Sequence, residues 1–173
     1  MVSARVLLLT GMPGIGKTTI IWRVAERPKG RRLGGFFTAE IREAGERQGF
    51  RLVAFDGTAW VIAHVGLPKT HRVGKYGVDI GVIDEAAELL TPDAGLDIYL
   101  VDEVGKMECL STRFIAAMRR LLSGTQPVIA TIALRGGGFI AEAKKAAGVS
   151  VWEVSHANRD DLPERVLRWL ETT

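Results

Sequence analysis

Apolar positions along this chain of 173 residues change period from one stretch to the next, and the periods predict its elements. Arg5-Val-Leu-Leu-Leu-Thr10 is a short continuous apolar run that ends at Gly11, the pattern of a strand buried on both faces of a parallel sheet. After a glycine-rich turn, Lys17 to Arg27 carries Ile20, Ile21, Val24 and Ala25 at helical spacing, and the helix is expected to stop before Pro28 and Gly30. The period then changes to two: Phe37, Ala39 and Ile41 alternate with Thr38, Glu40 and Arg42, which predicts a half-buried strand. Phe50 to Phe55 and Thr58 to Val65 predict two further strands joined by a two-residue hairpin at Asp56-Gly57, because both positions tolerate positive φ.

Gly66 to Gly77 reads as a basic loop carrying Lys69, His71, Arg72 and Lys75, and Val82 to Leu90 as a short helix ending before Pro92. From there buried-strand runs alternate with helical stretches. Ile98–Val101, Val128–Ile132 and Val149–Val154 are the strands; Ser111–Leu122, Phe139–Ala147 and Arg159–Leu170 are the helices. Such alternation implies a mainly parallel sheet with helices packed on it, here with an antiparallel ribbon inserted after the first helix. No repeat, low-complexity tract or long linker divides the chain, so residues 1–173 are expected to form one α/β domain.

Composition narrows the class. At 47% hydrophobic and 25% charged the chain resembles globular averages rather than disordered ones. The lone Cys109 excludes an internal disulfide framework and points to a reducing compartment, so a cytoplasmic location is expected. The longest early apolar run, Val6 to Leu9, is too short for a membrane span or a signal-peptide core, and no membrane partner is expected. The net charge of +3 hides an asymmetry: residues 1–75 hold 13 Lys/Arg against 5 Asp/Glu, a net of +8, whereas residues 76–173 hold 10 against 15, a net of −5. Clustered cations suit a polyphosphate or a nucleic-acid backbone, and composition does not choose between them.

The motifs do. Gly11-Met12-Pro13-Gly14-Ile15-Gly16-Lys17-Thr18 fits the phosphate-binding pattern G-x-x-x-x-G-K-[ST], with a buried strand before it and a helix after it. In such a loop successive N–H groups converge on phosphate oxygens at the positive end of the helix, the lysine reaches the β- and γ-phosphates, and the Ser/Thr hydroxyl ligates Mg²⁺. A second magnesium partner is expected at the C-terminal end of a neighbouring parallel strand, and Ile98-Tyr-Leu-Val-Asp102-Glu103 supplies Asp102 for the metal and Glu103 as a base for water. Thr19 could contact the α-phosphate or cap the helix. Thr38, Glu40 and Arg42 share one strand face, either in the site or as an exposed ion pair. Arg42, Arg47, Arg72 and Arg135 are eligible for the cation that stabilises transferred charge. Lys106 could face the phosphates or pair with Glu108, and Asn158 could touch base or ribose or cap the last helix. His64, His71 and His156 have no zinc-like spacing to one another or to Cys109, and the aromatics do not make a platform for single-stranded nucleic acid.

Five segments together, GMPGIGKTT at 11–19, GFFTAEIREAGERQGF at 35–50, GKYGV at 74–78, DEVGKMECLSTRF at 102–114 and NRDDLP at 158–163, resemble the small P-loop nucleoside triphosphatases known from thermophiles and from human cells. The resemblance spans nearly the whole chain. It implies a three-layer P-loop fold and Mg²⁺-dependent hydrolysis of nucleoside triphosphates (ATP, GTP, CTP, UTP, TTP) with little discrimination among bases. It also implies that Thr38, Glu40, Arg42, Arg47 and Lys106 belong to the site. Val104 and Cys109-Leu110 depart from the usual family residues without touching a proposed catalytic group.

The expected reaction is therefore NTP + H₂O → NDP + phosphate, with Lys17, Glu103 and Arg42 or Arg47 catalytic, Thr18 and Asp102 on Mg²⁺, and residues 11–19, Lys106 and Asn158 on the nucleotide. A monomer is the expected state and nucleic acid is not an expected partner. The rival readings are a nucleotide or small-molecule kinase of the same fold, and a nucleotide-switched nucleic-acid-binding module.

Overall fold

The computed structural model describes residues 5–27 and 30–173; Pro28, expected to stop the first helix, lies outside the described residues. Nine strands and five α-helices follow one another as β1 (Val6–Gly11), α1 (Lys17–Glu26), β2 (Leu33–Glu43), β3 (Glu46–Ala54), β4 (Ala59–His64), β5 (Arg72–Val73), β6 (Tyr76–Val78), α2 (Ile80–Ala86), β7 (Ile98–Val104), α3 (Thr112–Leu122), β8 (Val128–Ala133), α4 (Gly138–Lys145), β9 (Val149–Glu153) and α5 (Leu162–Glu171). Two 3₁₀ turns, Ala87–Leu90 and Glu108–Leu110, follow α2 and β7.

All strands join one mixed sheet in the order β5-β6-β4-β3-β2-β7-β8-β1-β9. Strands β2, β7, β8, β1 and β9 are parallel at their contacts, and β3 to β6 extend the sheet antiparallel to β2 and to one another. Because side chains alternate across a strand, each central strand feeds both faces. Leu7 and Leu9 of β1, Ile98 and Leu100 of β7 and Ile129 of β8 pack on one face with Ile20, Ile21 and Val24 of α1 and Val166 and Leu170 of α5. Leu8, Tyr99, Val101, Val128 and Ala130 pack on the other with Ile83 of α2, Phe114 and Met118 of α3 and Phe139 and Ile140 of α4. Each fully buried aliphatic side chain contributes about 1.5–3 kcal/mol, which is why the continuous apolar runs end up as the central strands.

Several expected boundaries move for identifiable reasons. The first half of β2 is buried on both faces rather than one, because β7 flanks it on one side and β3 on the other. Residues 46–49, polar and left outside any expected strand, belong to β3, which turns back from β2 through Ala44-Gly45. Both residues have positive φ, 48° and 80°, the two-residue turn whose twist matches a hairpin. The Asp56-Gly57 hairpin is present but its loop is three residues long: the Gly57 amide donates to the Ala54 carbonyl (2.9 Å), the Ala54 amide donates to the Thr58 carbonyl (2.8 Å), and Gly57 takes φ 92°. The stretch expected to be a plain loop contains the β5–β6 hairpin. Strand β9, expected to be a buried run, is the sheet's edge, with Val151 and Glu153 exposed. The last helix begins at Leu162 rather than Arg159.

One local cost stands out. Ala44 holds a left-handed conformation that costs an ordinary L-residue about 1–2 kcal/mol, whereas Asn followed by Gly is the preferred pair for this turn. Ala44→Asn is expected to raise stability by about 1 kcal/mol, a Tm increase of about 2–4 °C by calorimetry, and Ala44→Val to lower it.

Candidate active site

The C-terminal ends of β1, β7 and β8 and the cleft side of β2 meet at one edge of the sheet. Gly11, last residue of β1, leaves no space for a side chain: a Cβ there would lie 2.8 Å from the Val154 carbonyl. The loop then crosses to α1 with Ile15 buried beneath it and Gly16 at φ 112° as the residue before the helix. No side chain caps α1 and its first turn holds no acidic residue, so the unpaired amides and the positive helix end are left to the cleft. Lys17 is buried, and its Nζ donates to the carbonyls of Gly11 (2.7 Å) and Met12 (3.3 Å), which holds the ammonium over the loop.

Asp102 lies at the centre of this edge with no exposed surface. Two donors hold its carboxylate, the Thr131 hydroxyl of β8 to Oδ1 (2.7 Å) and the Thr38 amide of β2 to Oδ2 (3.2 Å); the Thr38 hydroxyl donates to the Asp102 carbonyl, and Thr18 at the start of α1 lies near enough to favour the ionised form. Burial nevertheless pushes its pKa up, against the pull of these donors and of Lys17. The peptide between Asp102 and Glu103 is cis. Glu103 is also raised, first by burial, then by the charge of Asp102, with Lys17 opposing. The expected adjacency of the magnesium strand to the loop strand is corrected: β8 lies between β1 and β7, and its Thr131, which sequence reasoning passed over, bridges the gap.

Glu108 is the second residue that sequence reasoning missed. The residue is 5% exposed, and its Oε2 accepts from the Gly105 amide (3.2 Å), three residues back in the turn after β7. A Cβ on Gly105 would lie 3.0 Å from Glu108 Oε2 and 3.1 Å from Glu103 Oε1, so the two carboxyl groups converge on the one position where a side chain is missing. Burial, and then the charge of Glu103, push the Glu108 carboxyl up to about 8.

The cleft has a volume of about 950 Å³ and reaches from Gly11–Thr19 past Glu103, Lys106 and Glu108 to Thr38, Glu40, Arg47 and Arg135. Of the two ribbon arginines, Arg47 lines this space and Arg42 does not. Glu40 joins them: Arg42 Nε donates to Oε2 (2.7 Å) and Arg47 Nη1 to Oε1 (2.9 Å). Burial alone would raise Glu40, but the two guanidinium groups bring it below its usual range. Arg47 is further fixed by the Tyr76 hydroxyl (3.2 Å) and by the ring of Phe50, 5.3 Å from its guanidinium carbon. Arg135 follows β8 on a loop whose Ala133 and Leu134 carbonyls accept from Lys144 Nζ (2.6 and 2.9 Å). Arg72 and Asn158 do not line the cleft. The Asn158 side chain accepts from the Ser155 amide (2.8 Å) and donates to the Glu153 carbonyl (2.8 Å), which closes the loop after β9; the N-cap position of α5 is held by Asp161, whose side chain makes no capping bond.

Among the described residues no three His, Cys, Asp or Glu side chains cluster to hold a metal. The Thr18 hydroxyl and the Asp102 carboxylate are hard oxygen donors near one another at the start of α1. They suit Mg²⁺, which takes one or two protein ligands and completes its shell with phosphates and water. Chemically the edge offers anion-binding amides, a lysine, a metal-suited oxygen pair and a carboxylate of raised proton affinity. Among the described residues no helix is long and apolar enough to cross a membrane.

Comparison with known proteins agrees over the whole length. A family model described as NTPase matches residues 6–167. Nucleoside-triphosphatase THEP1 of Thermotoga petrophila is 38% identical over 163 residues, covering 93% of this chain and 90% of that protein. The human cancer-related nucleoside-triphosphatase is 35% identical over 176 residues, covering 92% and 93%. The crystal structure of THEP1 from the hyperthermophile Aquifex aeolicus superposes with a TM-score of 0.87 at 30% identity, covering 96% of this chain and 99% of that one.

Glu108 makes the stability of the site edge depend on pH with a defined sign. The folded protein keeps its proton up to about pH 8, whereas the unfolded chain releases it near the ordinary carboxyl value of 4.5, so this group's contribution falls as pH rises between those limits. Glu108→Gln carries no such proton. Its stability relative to the parent is expected to improve steadily from pH 4.5 to pH 8, by an amount on the order of a few kcal/mol, measured by denaturant melts at both pH values.

Proposed function

The chain belongs to the NTPase family and is a nucleoside-triphosphate hydrolase, and from that premise we propose that it is a Mg²⁺-dependent phosphatase of broad base tolerance that releases the terminal phosphate at the edge formed by β1, β7 and β8. The observation that carries the reading is the convergence of Lys17, Thr18, Asp102 and Glu103 on one cleft at the start of α1.

In this reading residues 11–19 form a phosphate-binding loop, and the chain is a single domain of that class with helices on both faces of its sheet. The loop amides and Lys17 bind the β- and γ-phosphates and draw off charge as it develops. Thr18 and Asp102 would hold Mg²⁺, which would supply neutralisation of the charge on the phosphates. Glu103 orients a water against the γ-phosphorus and takes its proton as the new P–O bond forms and the bond to the β-phosphate oxygen breaks. Burial and Asp102 raise its proton affinity toward neutrality, the setting a base needs. Arg47, the ribbon arginine that faces the cleft, stabilises the leaving charge, and Arg42 keeps Glu40 and hence Arg47 in place. Lys106, also in the cleft lining, adds a cation near the phosphates. The protein acts as a cytoplasmic monomer, with nucleoside triphosphates rather than nucleic acid as its ligands. The +8 half supports that choice, since it contains the loop and the arginine ribbon around one polyphosphate.

Phosphate release from ATP, GTP, CTP, UTP and TTP, with and without Mg²⁺, is expected to be comparable across bases and lost without metal. Glu103→Gln is expected to slow release by about 10²–10⁴-fold with nucleotide still bound. Equal rates in parent and variant would remove Glu103 as the base. Arg47→Ala is expected to cost more in kcat than Arg42→Ala, and the reverse order would reassign the role.

A further inference from the structure

A second, smaller cavity of about 150 Å³ opens beside the loop, lined by Gly16, Thr19, Ile20 and Arg23 of the loop and α1 and by Arg159, Asp160 and Pro163 ahead of and within α5. Gly16 and Thr19 line both this cavity and the large cleft, so the two spaces adjoin at the loop. They lie on opposite sides of it. The carboxylates stand on β7, two strands from β1 on one flank, whereas Arg159–Pro163 follow β9, the neighbour of β1 on the other flank. A triphosphate with its γ end at Glu103 therefore points its nucleoside at this cavity.

We infer that the cavity between Arg23 and Arg159 is the nucleobase slot, and that it grips the base by its faces between guanidinium groups rather than by reading its edge. The inference rests on the reading of residues 11–19 as the triphosphate site and adds what happens at the other end of the substrate. The lining explains the choice. Arg159 is half-buried and fixed from below: its guanidinium donates to the Ile15 carbonyl (3.4 Å), and its Cδ passes 3.8 Å from where a Cβ on Gly16 would stand. Arg23 is exposed on the outer face of α1, one turn along from Thr19. Ile20 and Pro163 are buried and supply an apolar floor. No Asn, Gln or Ser side chain lines the slot, and the one carboxylate, Asp160, has a side chain 84% exposed that stands 4.0 Å from Arg159 Nε. Every base has a π-face on which a guanidinium can lie, and such contacts do not discriminate among bases, whereas edge readers do. A slot built from two arginines and an apolar floor binds all the bases and prefers none.

The test separates the nucleoside from the phosphates by comparing nucleoside triphosphates with inorganic tripolyphosphate, which has the same three phosphates and no base. Binding by calorimetry and hydrolysis by phosphate release are measured for ATP, GTP, CTP, UTP and tripolyphosphate with the parent, Arg159→Ala and Arg23→Ala. The ratio of nucleotide to tripolyphosphate affinity is expected to fall roughly tenfold in each variant, by a similar factor for all four bases. An unchanged ratio in both variants, whether because both ligands weaken together or because neither does, would overturn the slot. A fall confined to one base would overturn the face-gripping mode. Should the parent hydrolyse none of these compounds, the hydrolytic reading fails, while the affinity ratio still decides the slot.

Discussion

The structure turns on the burial of one carboxylate. Asp102 has no exposed surface and is held by hydroxyl and amide donors from β2 and β8 with Thr18 of α1 close by, so a single carboxyl group joins the loop helix, the arginine ribbon and the strand that separates them. Burying a charge costs several kcal/mol unless it is hydrogen-bonded, and here the donors are supplied by two threonines, Thr38 and Thr131, that share no segment of sequence. Thr18 places the start of α1 near the carboxylate, Thr38 ties in the β2–β3 ribbon, and Thr131 ties in β8 between β1 and β7. Misplacing any one element leaves a buried charge underpaired, which ties the register of the sheet to the geometry of the site.

The same economy governs the other carboxyl groups. Burial raises Asp102, Glu103 and Glu108 alike; the charge of Asp102 raises Glu103 further, and the charges of Glu103 and Asp102 raise Glu108. Cations oppose this unevenly: Lys17 acts on Asp102 and Glu103, whereas Glu108 lies beyond it and is held only by backbone amides. Along β7 and the turn after it run three carboxyl groups of raised proton affinity, Asp102 with side-chain donors and Lys17 opposing the rise, Glu103 with Lys17 alone, and Glu108, which is neutral at pH 7. On the ribbon the balance is reversed, because Glu40 sits between two guanidinium groups.

The continuous apolar runs at 5–10, 98–101 and 128–132 are legible as central strands because burial on both sheet faces leaves no polar alternation to confuse them. The loop from Gly11 to Thr18 is legible because its chemistry depends on local spacing, and Asp102-Glu103 because the strand end is marked by its first charges. What stayed hidden is non-local or masked. The order of β8 between β1 and β7 leaves no trace in local periodicity, so Thr131 looks like any strand threonine. The Ala44-Gly45 turn is obscured because alanine seldom takes positive φ, and the polar residues at 46–48 disguise the start of β3. Glu108 reads as a surface charge until its turn is folded against Glu103, and β9 reads as buried because an apolar run carries no sign that its strand ends the sheet, where none of its residues is fully buried.

The account stands or falls on Asp102 as the point where fold and metal meet. Its most direct measurement is nucleotide affinity with and without Mg²⁺ for Asp102→Asn, made on protein whose cooperative melt shows that it is folded. Mg²⁺ is expected to tighten nucleotide binding and permit phosphate release in the parent, and in the Asn variant both effects should disappear together while metal-free affinity persists. An Asn variant that still gains affinity from Mg²⁺ and releases phosphate at the parent's rate would contradict the account.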